Sequence, residues 1–243
     1  MTRLEREIEF HRDIADHAEA IWNWDSPSGR RRAARRSEIF AKEADLRPGR
    51  RALEVGCGTG IFLQVAATTG ADIIALDLSA HLIAKARARV ASAPNVSISL
   101  GNAEQMPFRE ASFDSVYGSS ILHHLDLDTT LAEVHRVMRP GGRLVFTEPN
   151  ILNPQVTVMF RLGLTKKYFG VSPDEMAFSR FRAARALRKA GFADIAVKPF
   201  DFLHPATPPA AMDAVARFGR ALEKVPLLRE VAGSMIITAM KKR

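Results

Sequence analysis

The chain has one cysteine in 243 residues, Cys57. No disulfide can close within it, and no zinc site built from several thiolates is available. That fits a reducing compartment, so a cytoplasmic location is expected. No apolar run reaches the ~18 residues that a membrane-spanning helix needs. The opening residues, MTRLEREIEFHRD, are charged, and they lack the roughly 7–15-residue apolar core of a secretory signal. Internal repeats and low-complexity tracts are absent, which excludes repeat architectures. Acidic residues are the minority charge: 27 Asp and Glu stand against 35 Lys and Arg, a formal net charge of +8. Such a balance favours anionic partners such as phosphates, nucleic acid or an acidic membrane surface.

What is present is ordinary for a globular protein: 47% hydrophobic and 26% charged residues. The length suits one large α/β domain with a small appendage. Residues 3–24 read as an amphipathic helix, with Leu4, Ile8, Ala15, Ala18 and Trp22 near one face. Asp25-Ser26-Pro27-Ser28-Gly29 breaks it. The basic stretch RRRAARR at 30–36 opens a second helix that runs to about Asp45 and ends at Arg47-Pro48-Gly49.

From residue 50 the rhythm changes. Strands are expected at 52–55, 71–78, 96–100, 113–121 and 143–149, with helical stretches between most of them. The clearest helix runs from Leu127 to Arg139, stopped by Pro140-Gly141-Gly142. Later elements are a helix at 179–190 closed by Gly191, a strand at 194–200, a helix at 210–224 and a strand at 233–240. Strands alternating with helices imply a mostly parallel sheet covered on both sides.

Residues 53–60 read Leu-Glu-Val-Gly-Cys-Gly-Thr-Gly, a strand running into alternating glycines, with a helix from about Ile61. Glycines there let a ligand lie directly on main chain. A doubly wound sheet binds ligands at the carboxyl ends of its strands, where this loop sits. The second strand ends at Asp77, 17 residues beyond Gly60. A carboxylate at that tip can accept hydrogen bonds from both hydroxyls of a ribose. As a helix N-cap, Ser79 is the better candidate.

Taken in order, these segments resemble the class I S-adenosylmethionine (SAM)-dependent methyltransferases of the small-molecule type. Glu54-Val55-Gly56-Cys57-Gly58-Thr59-Gly60 is similar to the family's first motif, and Asp77 to its ribose-binding acid. Gly101-Asn102-Ala103-Glu104-Gln105-Met106-Pro107-Phe108 resembles its third motif. Phe113 to Val116, Leu122-His123-His124-Leu125 and Val137-Met138-Arg139-Pro140-Gly141-Gly142 resemble the fourth strand, its loop and the approach to the fifth strand. The likeness covers roughly residues 45–150. It implies a Rossmann-like, doubly wound, seven-stranded sheet, mostly parallel with an antiparallel last strand and helices on both faces. It also implies a helical cap at 1–46 and a methyltransferase domain at 47–243, with a substrate-cap insertion at about 151–178.

The cofactor implied is SAM, leaving as S-adenosylhomocysteine, with no metal expected. Its contacts would be Glu54, Gly56, Cys57, Gly58 and Gly60 in the first motif, then Asp77 and Leu78. Asn102, Ala103 and Glu104 would follow the third strand, and Ser119 would sit at the fourth. Asn102 stands where the family often has Asp. Its side-chain carbonyl would accept from the adenine amino group without the charge. The helix-opening pattern is G-C-G-T-G, which argues against an NAD fingerprint.

His123 and His124 lie near the expected methyl and are the candidate catalytic bases. Trp24, Arg30, Glu148 and Tyr168 are candidate substrate contacts; Trp22, Met159, Phe160 and Phe169 are further apolar ones, and His204 is a weaker polar one. The acceptor implied is a small, hydrophobic or lipid-like molecule, methylated on oxygen or carbon. The charge is consistent with peripheral contact with an anionic membrane. Nucleic acid is disfavoured, because Gly118-Ser119-Ser120-Ile121 replaces the Asn/Asp-Pro-Pro-aromatic motif of amino methyltransferases acting on nucleic acid. The competing readings are a tRNA or rRNA methyltransferase and a noncatalytic SAM- or partner-binding module. A monomer or homodimer is expected.

Overall fold

The structure, a computed structural model, describes residues 1–161 and 175–243. Tyr168 and Phe169, and most of the expected insertion beyond 161, lie outside the described residues. The N-terminal helices are α1 (Arg3–Ile14), α2 (Ala18–Ile21) and α3 (Pro27–Glu43). Next come β1 (Arg51–Val55), α4 (Ile61–Ala67), β2 (Asp72–Asp77), α5 (Ala80–Arg89), β3 (Val96–Leu100) and β4 (Phe113–Ser119). They are followed by α6 (Leu127–Val137), β5 (Met138–Pro149), α7 (Pro154–Arg161), α8 (Arg180–Lys189) and β6 (Phe192–Phe200). The chain closes with α9 (Met212–Leu222), α10 (Pro226–Arg229) and β7 (Ser234–Lys241).

The strands form one seven-stranded sheet in the order β3-β2-β1-β4-β5-β7-β6. β3 through β5 are parallel, and β7 runs antiparallel between β5 and β6. This is the doubly wound, mostly parallel architecture that the strand–helix rhythm implies. Alternation along each strand sorts its side chains to two faces. Leu53, Val55, Ile74, Leu76, Val116, Leu144 and Phe146 pack with Leu131 and Val134 of α6 and Leu187 of α8. Ala52, Ile73, Ala75, Tyr117 and Val145 pack on the other face with Phe40 of α3, Leu63 of α4 and Ala86 of α5. Truncating Phe146, fully buried, to Ala would cost roughly 3–5 kcal/mol.

Several element boundaries differ from the sequence expectation. The first helix is not continuous to residue 24: it yields to a 3-10 turn at Ala15–His17 and then to α2. The second helix starts earlier than Arg30, because the Ser26 hydroxyl accepts from Gly29 N (3.0 Å) and Pro27 occupies the first turn. The fifth strand starts at Met138, immediately after α6, so Pro140-Gly141-Gly142 lies inside the strand instead of before it. Gly141 has φ +79° there, which the pairing accommodates by shifting register between Phe113 and Ser115 on β4.

Candidate active site

A cavity of about 560 Å³ opens over the carboxyl ends of β1, β2 and β4. One side is main chain. Gly56, Cys57, Gly58 and Thr59 line it after β1, and Asp77 and Leu78 after β2. Gly56 has φ +70°, and a Cβ there would stand 2.5 Å from the Ile121 side chain, so any larger residue closes the wall. Its amide, and that of Cys57, are anchored on the Leu76 carbonyl at 2.8 and 3.2 Å.

Asp77 ties the loop together. Its Oδ2 accepts from the Gly58 amide (2.7 Å) and its Oδ1 from the Ser79 amide (2.9 Å). Desolvation raises its carboxyl above the ordinary range, against the pull of those amides and of His11. Each oxygen retains lone-pair capacity beyond its one amide. Ser79 in turn caps α5, as expected. Next to this loop, Gly101, Asn102 and Ala103 line the cavity beyond β3. The Asn102 Oδ1 accepts from the Glu104 amide (2.9 Å), so the side-chain carbonyl expected to read an adenine amino group is already engaged by backbone.

The opposite wall holds imidazoles and carboxylates. His123 and His124 sit in a 3-10 turn after β4, Leu122–His124. The His123 Nδ1 faces Glu148 Oε2 at 2.7 Å and its Nε2 faces Glu175 Oε2 at 3.4 Å. Burial alone would lower its pKa, but the two carboxylates outweigh burial and raise it to about 10. Glu148, itself buried, also accepts from the amides of Ile121 (2.9 Å) and Leu122 (2.8 Å). His123 is therefore an imidazolium with both nitrogens donating.

His124 is placed differently. Its Nδ1 lies 3.2 Å from Glu7 Oε2 and 3.6 Å from Glu175 Oε1. Its Nε2 makes no hydrogen bond among the described residues, and the side chain lines the cavity. Glu7 comes from α1, as does His11, whose Nδ1 meets the Glu7 carbonyl at 2.8 Å. Burial and His124 lower the pKa of His11, against the pull of Asp77 and Glu7. The donors of Glu7, His11, His124 and of His123, His124, Glu175 are close enough to suit a cation; the imidazoles of His123 and His124 are instead engaged by carboxylates. Trp22, Trp24, Met159 and Phe160 supply apolar surface, and the remaining rim comes from residues 201–205.

A demethylmenaquinone methyltransferase from Geobacillus kaustophilus is 30% identical over 194 residues, covering 71% of this chain and 83% of the relative. The methyltransferase domain family matches residues 53–146. The chain belongs to the class I SAM-dependent methyltransferases. A further relative of this methyltransferase, O-methyltransferase resE from Aspergillus sclerotiorum, is 36% identical over 134 residues, 51% of each chain. Among solved structures, a SAM-dependent methyltransferase from Thermotoga maritima covers 96% of this chain and 100% of its own, with a TM-score of 0.67 and 21% identity. That likeness speaks for the fold. The methyltransferase spans 34%, 46% and 51% of the length of the first curated relatives it matches.

Of the residues expected at the cofactor, Gly56, Cys57, Gly58, Asp77, Leu78, Asn102, Ala103 and Ser119 line the cavity of this methyltransferase. Glu54, Gly60 and Glu104 do not. Glu54 alternates to the sheet face beneath α3 and α4, where burial pushes its carboxyl up to about 8 and keeps it protonated. Gly60 is pressed on α5, its Cβ position 3.0 Å from Ala86 Cα. Glu104 is held by Arg3 and by the Asp126 amide (2.6 Å). Cys57 is a neutral filler, since burial pushes its thiol up.

On the acceptor side, Trp24 lines the cavity, whereas Arg30 is exposed and bonds the Asp25 carbonyl. Glu148 works behind the wall as the partner of His123. Sequence reasoning missed Glu7, His11, Glu175 and Asp201, and the basic run at 30–36 did not show that Arg32 and Arg36 are the arginines that line the cavity. Glu7 and His11 are spaced i, i+4 on α1, a legible signal. Asp201 carried none.

Proposed function

We propose that this methyltransferase moves a methyl group from SAM to an oxygen or carbon of a small, largely apolar acceptor, with His124 as general base. The observation that carries this reading is a cavity in which the glycine loop and Asp77 face an imidazole whose Nε2 has no hydrogen-bond partner among the described residues.

The residues present fit SAM. Asp77 has lone pairs left for two ribose hydroxyls, and Gly56 and Gly58 bring main chain to the cavity surface without a side chain. Leu78, Ala103 and Ile121 supply flat apolar contact for a purine. When bound, SAM supplies an electrophilic methyl on a sulfonium. The Glu7 carboxylate accepts the His124 Nδ1 proton and so fixes the tautomer in which Nε2 is basic. His124 can then take the acceptor's proton as the methyl arrives. His123 cannot share that role, because both of its nitrogens donate; it holds Glu148 and Glu175, and with them the turn that positions His124. The aromatic wall of Trp22, Trp24 and Phe160 excludes water, so positioning and desolvation carry much of the rate.

Relatives named as a demethylmenaquinone methyltransferase and an O-methyltransferase support an apolar small-molecule acceptor. A labelled-methyl transfer screen over small-molecule, lipid and RNA pools tests this. Label is expected in the apolar small-molecule pool; label in RNA alone, with a steep salt dependence, would replace this reading with the RNA one.

The same reading includes peripheral contact with an anionic membrane. Phe218, Val225, Leu227 and Leu228 stand exposed on and after α9, beside the exposed Arg217, Arg220 and Lys224. An apolar stripe flanked by cations suits an acidic lipid surface. No helix among the described residues is long and apolar enough to cross a membrane.

A further inference from the structure

The far end of the cavity, under α3, has a different chemistry from the imidazole wall. Arg32 and Arg36, one helical turn apart, both line it. They share one carboxylate: Asp201 Oδ2 accepts from Arg32 Nε and from Arg36 Nη1, each at 2.9 Å. The neighbouring arginines have carboxylates of their own. Arg31 pairs with Asp213 (2.5 Å), and Arg35 grips Glu223 through two bonds of 2.8 and 2.6 Å. Around Arg32 and Arg36 two guanidiniums therefore face one acid.

The three groups are held out of water. Arg36 and Asp201 are buried, with side chains 2% exposed, and the Arg32 side chain is 16% exposed. Arg36 is largely spent on structure. Its Nη2 donates to Ser234 Oγ (2.8 Å) and its Nη1 also reaches the Arg32 carbonyl (3.3 Å). Arg32 is not spent. Its Nε serves Asp201, while its two Nη groups make no hydrogen bond among the described residues. Both guanidiniums lie over the Trp24 ring, at 5.4 and 5.3 Å, which fixes their plane. The guanidiniums outweigh burial and draw the Asp201 carboxyl down to about 2, so it stays charged and its capacity stays committed to them. Burial, and then the charge of Arg32, lower the pKa of His204 across the cavity.

A buried excess cation whose fork has no partner among the described residues, set in apolar walls, is the usual receptor for a carboxylate or phosphate oxyanion. We infer that Arg32, backed by Arg36 and Asp201, binds an anionic group of the methyl acceptor, a carboxylate or a phosphate monoester, so that the substrate class is an apolar molecule with one acidic end. This rests on the methyltransferase reading of the cavity and adds its acceptor specificity. Glu7 and Glu175 line the opposite wall with Glu148 behind them, and these three carboxylates outnumber the one imidazolium of His123; this places the anion at α3 and turns the neutral end toward His124.

The test uses the whole protein with S-adenosylhomocysteine at saturation, and also without it. Three probes of matched shape are titrated by calorimetry: 2-naphthoate, 2-naphthyl phosphate and the neutral 2-naphthalenemethanol. At least one anion is expected to bind tenfold or more tightly than the alcohol, and the better of the two names the oxyanion. In R32Q the preference should fall to within about twofold while the S-adenosylhomocysteine affinity is kept, which separates loss of the fork from misfolding. R32K, a point charge without the fork, should retain part of the preference. Equal binding of anions and alcohol, no measurable binding of any probe, or an unchanged preference in R32Q overturns the inference. Failure of S-adenosylhomocysteine itself to bind would instead overturn the methyltransferase reading, and the probe series on the protein alone would still decide this one.

Discussion

At the tips of β1 and β2 the cavity wall is main chain, anchored strand to strand through the Leu76 carbonyl and the Asp77 carboxylate. At α1, α3 and the 201–205 rim it is side chain, drawn from segments nearly the whole length of the protein apart: Glu7, Arg32, His124 and Asp201. The first wall is set by a short run of sequence, and Gly56, with φ +70° and Ile121 2.5 Å from its Cβ position, is its least replaceable residue. The second is held by ion pairs and ring contacts, so it can be rebuilt residue by residue without disturbing the sheet. On the proposed reading, a fixed donor wall beside a replaceable acceptor wall is the arrangement expected where one cofactor must serve many substrates.

Four variants probe that contrast. The largest expected effect is on His123→Gln. It leaves the buried Glu148 and Glu175 without their cation, which should cost roughly 3–5 kcal/mol; a melting temperature unchanged by the substitution would show that His123 does not hold the turn. The pH dependence sharpens this. The folded pKa of His123 is raised to about 10 from an ordinary 6.5. Its contribution is thus fully present below about 6.5 and lost as pH rises towards 10. Wild-type melting temperature should fall across that window more than that of His123→Gln.

Next is His124→Ala. Loss of a general base should lower kcat by about 10²–10⁴, with SAM affinity unchanged in a direct titration. A lost SAM affinity at unchanged kcat would move His124 from the acceptor wall to the cofactor wall. Asp77→Ala should then weaken SAM by at least about a hundredfold, near 3 kcal/mol, since charge-assisted hydrogen bonds to two hydroxyls disappear; titration giving the wild-type affinity would remove Asp77 from the site. The smallest effect belongs to the surface. The double change Phe218→Ser and Leu227→Ser should reduce co-sedimentation with anionic vesicles several-fold and leave SAM affinity alone. Equal sedimentation of both proteins would end the membrane reading.

How legible the molecule is in its sequence follows the same division. The glycine loop, Asp77, the Ser79 cap and the register of hydrophobic alternation are local, and each was readable because neighbours in sequence are neighbours in space. The misplaced elements fail for one reason: a cap or a register shift outweighs a composition signal. Ser26 and Pro27 start α3 ahead of its arginines, and the Pro140-Gly141-Gly142 run is an irregularity inside β5, between the paired Met138 and Arg143. Glu54 looked like a ligand of the loop it precedes, but strand alternation turns it to the opposite face.

By itself, the sequence determined the doubly wound sheet, the main-chain loop at 56–60 and the acid at 77, because hydrogen bonding and side-chain period act within a few residues. Tertiary structure alone decided which of the paired histidines is free, since that depends on carboxylates at 7, 148 and 175 arriving from three different elements. It also decided which arginine of the 30–36 run faces inward, because only the approach of Asp201 and Trp24 separates Arg32 and Arg36 from their solvated neighbours. Long-range charge pairing has no sequence period, and that is why the glycine-loop wall of the cavity reads from its residues while the side-chain wall does not.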